Sequence, residues 1–299
     1  MNLVTWKPQS DSVNSSSINL SGELPNGVVE LYTKIVQCAG ELNIDLLVVG
    51  ATARDLVLAF GYGAQTTRGT RDIDFGINIT SWDQFYQLTR ALENLGFKHN
   101  QQRVHQLLYN DTDALTWEID IVPFGGIADE NHEISWPPSH NFTMSTLGFH
   151  DAYNHALTVQ ISETPVITIP VASPAGIAFL KLIAWVDRFP ERRAKDAIDF
   201  LYIIQTYAAI PEVLDTIYEP DGCMEAQEWD EPKACAMKLG QDIKTIAHQE
   251  SVDYLKQQLF DKEGKKEQFT LDMTSNNKNV QQCTELLNIF IDELTHKHS

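Results

Sequence analysis

The chain has 299 residues, 43% of them apolar and 21% charged, with a formal net charge of −19. That length supports one large domain or two ordinary ones with a well-buried core, and the composition excludes disorder as the default. The charge excludes a surface built to grip nucleic acid along its whole length, while leaving room for a local basic groove or for a site that gathers carboxylates around divalent cations.

The first 25 residues are polar and rich in Ser and Asn, and read as a loosely ordered arm that Trp6 and Leu20 can pin to the body. Residues 28–42 carry apolar side chains at helical spacing, with Asn43 placed to end the helix. The β-branched run 44–50 reads as a buried strand closing on Gly50, and 51–60 as a helix opening directly behind it. After a polar loop, 71–77 alternates polar and apolar and reads as a second strand. Ser81 is placed to cap a helix ending at Gly96. Two further strands, 103–110 and 114–124, are separated by Asp-Thr-Asp and predict a hairpin. An irregular loop over 125–141 follows, then short strands near 157–161 and 166–170. At Ser173-Pro174 the pattern turns helical, Ser as cap and Pro in the first turn, and stays largely helical to the end. The chain therefore divides into an arm (1–25), a mixed α/β domain (26–170) and a helical domain (171–299).

The chemistry concentrates in a few places. Asp72 and Asp74 stand two apart on a strand, so both side chains leave one face, their α-carbons about 6.6 Å apart. Alone, that pair is as readily an exposed strand face. Asp120 lies in a second alternating strand; if the hairpin pairs beside 71–77, it reaches the same cleft, with Glu118 as a substitute on the same face. Three carboxylates so placed can hold two metal ions about 3.5–4 Å apart for in-line phosphoryl displacement. A strand ending in Gly50 and passing at once into a helix leaves unpaired amides, and Ala51 and Thr52 allow close approach of phosphate. The turn lacks the Gly-Lys-Ser/Thr of a Walker loop, which argues against a P-loop ATPase. Arg54, Arg68 and Arg71 bracket it, Arg71 being the favoured phosphate clamp and Arg54 equally placed to pair with Asp55 or a neighbouring acid. In the helical half, Lys181 with Arg188 and Asp196 with Asp199 share helix faces and equally make an interhelical salt-bridge set. His132, His140, His150 and His155 lack zinc spacing. Trp136-Pro137-Pro138 reads as a rigid loop rimming the cleft.

Taken together, Gly50-Ala51-Thr52, Thr70-Arg71-Asp72-Ile73-Asp74-Phe75 and Glu118-Ile119-Asp120 resemble the signature of the DNA-polymerase-β-like nucleotidyltransferase superfamily. Lys181-Leu-Ile-Ala184-Trp-Val-Asp-Arg188 and Lys195-Asp196-Ala-Ile-Asp199 resemble stretches of the AbiEii/AbiGii-toxin nucleotidyltransferases within it. These blocks span about 50 to 200, and Ala51 departs from the Gly or Ser usual at that position. The resemblance implies an α+β fold, a mixed β-sheet flanked by helices with a C-terminal helical domain, and an enzyme that moves an NMP from an NTP to an acceptor hydroxyl. It implies Mg²⁺ (or Mn²⁺) on Asp72, Asp74 and Asp120, with Asp120 also helping to deprotonate the attacking hydroxyl. Gly50, Ala51, Thr52, Arg71 and Lys181 are implied to meet the nucleotide, with Asp196 and Asp199 orienting Lys181 or Arg188. The implied partners are an NTP, an RNA acceptor such as a tRNA end, and a cognate antitoxin. The rival readings are transfer to a small molecule or a protein, and a catalytically silent nucleotide-binding or regulatory protein. The start lacks the pattern of a secretory signal, no apolar run is long enough to span a membrane, and the four cysteines show no Cys-x-x-Cys spacing; the expected location is the cytoplasm, with no membrane association and free thiols.

Overall fold

A computed structural model describes residues 17–65, 72–274 and 279–296. Arg68, Thr70 and Arg71 lie outside the described residues, as does Trp6. The chain forms two compact units. One holds the chain up to Gly61 and from Gln65 to Ser173; the other holds Tyr62–Ala64 and everything from Pro174. No single helix among the described residues is long and apolar enough to cross a membrane.

The first unit is built on β1 (Ile18–Asn19), α1 (Asn26–Glu41), β2 (Asp45–Val49), α2 (Gly50–Arg54), β3 (Asp72–Asn78), α3 (Trp82–Asn94), β4 (Lys98–His99), β5 (Gln106–Asn110), β6 (Thr116–Phe124), β7 (Glu133–Ser135), β8 (Thr143–Ser145), α4 (Phe149–Asn154), β9 (Leu157–Glu163) and β10 (Val166–Val171). Eight strands make one mixed sheet in the order β1-β9-β10-β2-β3-β6-β5-β4, and β7 pairs with β8 apart from it. The pairs β1–β9, β10–β2 and β3–β6 are parallel, the remaining neighbours antiparallel.

Local chemistry accounts for much of this. α1 buries Val28, Leu31, Tyr32, Ile35, Cys38 and Ala39, one stripe at helical spacing. It ends where Asn43 takes a left-handed φ of 54°, a conformation asparagine tolerates well. The β5–β6 turn is held by Asp111, whose carboxylate accepts from the backbone N–H of Asp113 (3.0 Å) and Leu115 (2.9 Å) and from Trp117 Nε1 (2.9 Å).

Three expectations are corrected. Of the arm expected over 1–25, the described part, 17–25, is pinned by Leu20 as expected, but it is ordered rather than loose: Ile18 and Asn19 join the sheet edge beside β9, and Leu24 is buried with Leu20. Its apolar residues are too few to show a period, and their partners lie some 140 residues along the chain. The helix expected over 51–60 starts at Gly50 as α2 and continues as π-helix over Asp55–Gly61. The irregular loop holds a short strand, β7, which pairs with β8, and Trp136 does not rim a cleft but is buried against Trp82, Phe85 and His105.

The second unit is helical: α5 (Pro174–Asp187), α6 (Pro190–Thr206), α7 (Pro211–Ile217), α8 (Cys223–Ala226), α9 (Glu231–Ile246), α10 (Gln249–Leu255), α11 (Lys265–Met273) and α12 (Val280–Thr295). Its core carries an edge-to-face chain of rings, Trp185–Phe269 (5.1 Å between centroids), Phe269–Phe200 (5.5 Å) and Phe200–Phe290 (5.0 Å). Asp230 caps α9 and Asn279 caps α12, each accepting from a first-turn N–H.

Candidate active site

β3 and β6 are parallel neighbours in a register that sets Asp74 opposite Asp120 and Asp72 opposite Glu118. Side chains alternate along a strand, so these four acids leave one face of the sheet. The intervening Ile73, Phe75, Ile119 and Ile121 go to the other face and are buried. A slip of one residue would send either acid set into that core, and the hydrophobic alternation therefore fixes the register. The cost of burying carboxylates is avoided: Asp72 is exposed, and Asp74, Glu118 and Asp120 are part-exposed.

The turn after β2 abuts this face. Gly50 has φ +75°, and a Cβ added there would lie 2.8 Å from Asp74 Cγ and closer to its Oδ2. Only glycine satisfies both the backbone and the approach. The turn is tied to β3 a second time, where Thr52 Oγ1 donates to the Asp72 carbonyl (2.6 Å). The Thr52 hydrogen is therefore committed to the backbone, and what the hydroxyl has left to offer is lone pairs. Beneath the site, Tyr32 is fully buried; burial pushes its phenol far above its ordinary pKa, and the Asp74 and Asp55 carboxylates push the same way.

Residues that sequence reasoning missed stand on the far side of Asp120. Gln106 lies opposite it in the antiparallel β5–β6 register. Gln106 Nε2 donates to Asp120 Oδ1 (2.8 Å) and to Glu118 Oε2 (3.0 Å), while its Oε1 accepts from Asn100 Nδ2 (2.6 Å). His105 Nε2 is 4.0 Å from Asp120 Oδ2, and Arg103 Nη1 is 3.9 Å from Glu118 Oε2. Burial draws the His105 pKa below the ordinary value; Asp120 acts against that and Arg103 with it. The one cue in the sequence is a glutamine opening an otherwise apolar run, Gln106-Leu107-Leu108-Tyr109.

The donor set fits a hard divalent cation. It is all carboxylate oxygen, on one sheet face, beside a glycine whose missing Cβ makes room for the Asp74 carboxylate. Among the described residues no three His, Cys, Asp or Glu side chains are already drawn together as a ligand set. One oxygen of Asp120 and one of Glu118 are instead engaged by Gln106.

In the helical unit, Lys181, Arg188, Asp196 and Asp199 form one cluster between α5 and α6. Lys181 Nζ is 3.2 Å from Asp196 Oδ1 and 2.7 Å from Asp199 Oδ2, and Arg188 Nη1 is 3.2 Å from Asp196 Oδ2. Lys181, Asp196 and Asp199 are buried. Arg54 is buried as well and pairs with Asp55 through Nε (2.9 Å) and Nη2 (2.7 Å), so it is not an open phosphate clamp.

The model of a family described as "Nucleotidyl transferase AbiEii toxin, Type IV TA system" matches residues 35–282. The match therefore extends beyond the blocks at 50 to 200 into the last hundred residues. No curated protein matches the sequence. Among solved structures, the antibiotic-resistance factor ANT(2'')-Ia in complex with adenylyl-2''-tobramycin is 18% identical, with a TM-score of 0.34 over 62% of this chain and 94% of its own. The lincosamide adenylyltransferase LnuA is 15% identical, with a TM-score of 0.35 over 58% and 94%. The Thermotoga maritima CCA-adding enzyme is 10% identical, with a TM-score of 0.29 over 92% and 80%. At such TM-scores none of these likenesses bears on function. The family match covers most of the sequence, including all four acids and the Gly50 turn, and the chain belongs to the AbiEii family of nucleotidyltransferase toxins.

Proposed function

We propose that this nucleotidyltransferase is metal-dependent and that Asp72, Asp74 and Asp120 hold its Mg²⁺ (or Mn²⁺). The observation that carries the proposal is the register of β3 on β6, which sets Asp74 against Asp120 beside Gly50. When bound, the cation supplies charge stabilisation for phosphoryl oxygens and lowers the pKa of an attacking hydroxyl. The chain's own residues do the rest. The turn at Gly50-Ala51-Thr52 is proposed to present main-chain N–H groups to the NTP phosphates, while Gly50, lacking a Cβ, lets the Asp74 carboxylate stand against the turn. Arg71, adjoining Asp72, is proposed as a phosphate clamp. Asp120 is proposed to accept the proton as the acceptor oxygen bonds to the α-phosphorus. The bond from that phosphorus to the bridging oxygen breaks, and pyrophosphate leaves.

The proposed acceptor is an RNA hydroxyl, and the setting a toxin–antitoxin pair with a cognate antitoxin. Membership of a family described as a toxin of a type IV toxin–antitoxin system supports the setting, and the RNA acceptor is proposed on the resemblance to that family. The net charge of −19 gives it no help, and RNA contact must then be local. Incubation with each labelled NTP and separate pools of RNA, protein and small metabolites tests the reading. Label in RNA, lost on adding EDTA and in Asp74→Asn, supports it; label confined to small molecules or protein overturns the RNA acceptor. Transfer that survives EDTA overturns the metal.

A further inference from the structure

Asp74, Asp120 and Gln106 form one row across three adjacent strands, each directly opposite the next. Gln106 is 2% exposed, and every hydrogen-bonding atom of its amide head has a partner. The Nε2 group has two hydrogens, and they go to two different carboxylates, Asp120 and Glu118. Asn100 holds the amide oxygen from the other side (2.6 Å), and its backbone N–H also meets the Gln106 carbonyl (3.0 Å). Turning the amide over would set its oxygen against both carboxylates, so the orientation is fixed by its surroundings.

We propose that Gln106 is a positioning residue for the metal-dependent site: it anchors Oδ1 of Asp120, and one oxygen of Glu118, so that Asp120 joins Asp74 on the cation while Glu118 is kept aside. The proposal rests on the functional reading above. Asp120 and Glu118 are two apart on one strand and leave the same face, the glutamate longer by one methylene; spacing along β6 does not select between them. Gln106 makes the distinction by register: it stands directly opposite Asp120, whereas Glu118 is paired two residues along, with Leu108. A neutral amide is suited to this task, since it holds Oδ1 of Asp120 without neutralising the carboxylate's charge and leaves Oδ2 to the cation. Partners that orient a ligating carboxylate in this way typically contribute 10- to 100-fold to metal affinity.

The test is Mn²⁺ alone, titrated into the full chain and followed by the electron paramagnetic resonance signal of free Mn²⁺, with thermal melts alongside. Gln106→Met, close in volume and without a donor, is expected to bind Mn²⁺ about 10- to 100-fold more weakly while melting cooperatively. Asn100→Ala, which frees the amide to turn, is expected to shift affinity in the same direction by less. The double variant Gln106→Met/Asp120→Asn is expected to bind no more weakly than Asp120→Asn, because the two changes remove one interaction. If Gln106→Met does not fold, Asn100→Ala decides alone, and unchanged Mn²⁺ affinity in it overturns the proposal. Asp120→Asn weakened with Gln106→Met unchanged overturns the positioning role and leaves the site intact. Asp120→Asn that binds as the unaltered chain does overturns the site reading itself, and the positioning role with it.

Discussion

Gly50 and Asp74 are in contact through an absence: the site's second carboxylate occupies the volume that a side chain at position 50 would need. The left-handed φ of +75° at Gly50 forms the turn that brings it there. Gly50→Ala meets both obstacles at once. It is expected to cost about 1–3 kcal/mol in urea unfolding, from backbone strain and displacement of Asp74. Nucleotide transfer is expected to fall further than stability predicts, by about 100-fold, since an ångström of misplacement at a reacting centre is enough. A variant with transfer unchanged would show that the Asp74 carboxylate is free to stand elsewhere.

Lys181 belongs to a buried ion cluster, and its loss is expected to be felt in folding. Burial works to lower its pKa, but Asp196 and Asp199 outweigh burial and hold it above the ordinary lysine value. A raised folded pKa means that this stabilisation is fully present below the unfolded value and is lost only as pH climbs through the folded one. At neutral pH, Lys181→Ala therefore leaves Asp196 and Asp199 buried with less positive charge beside them. About 3–5 kcal/mol of destabilisation is expected in urea melts. A variant as stable as the original would show the cluster to be energetically neutral.

His105 gives the site a pH dependence of stability. Burial holds its folded pKa below the ordinary histidine value, with Asp120 opposing and Arg103 adding. Between the folded and the ordinary value the unfolded chain binds the extra proton, so stability falls as pH drops through about 6.5 and recovers as it rises. Comparing urea melts of the protein and His105→Gln at pH 5.5 and 7.5 isolates this contribution. The variant is expected to lose less stability on acidification, and equal losses would mean that His105 titrates normally.

How much of this was legible in the sequence divides along physical lines. The acid face was readable because alternation along a strand is local: Asp72-Ile73-Asp74-Phe75 and Glu118-Ile119-Asp120-Ile121 each sort their own side chains. Gly50 was readable because a strand closing on glycine before a helix restricts the backbone. Gln106 and His105 were not, since their importance comes from pairing with β6, and register across a hairpin is a tertiary fact. For Arg54 the sequence offered a place beside the phosphate turn or a pair with Asp55, and the structure shows the pair; that the two are buried together depends on packing the sequence does not display. The edge strand β1 escaped for the same reason.

The cysteines offer a check on the fold as a whole. Cys38, Cys223, Cys235 and Cys283 are buried thiols outside any disulfide. Burial raises the thiol pKa of Cys38 and Cys223, and pushes Cys235 up to about 12. A disulfide-exchange reagent at pH 8 is expected to leave all four unreacted in the native protein and to titrate all four in guanidinium. A thiol that reacts rapidly without denaturant would place its helix on the surface.

The most direct test is a crystal soaked with Mn²⁺ and a non-hydrolysable NTP, with the metal located by anomalous scattering. The expected result is a metal peak bridging the carboxylates of Asp74 and Asp120, Asp72 alongside, with the triphosphate against residues 50–52. A peak ligated by Glu118 without Asp120, or a nucleotide bound away from β3 and β6, would contradict it.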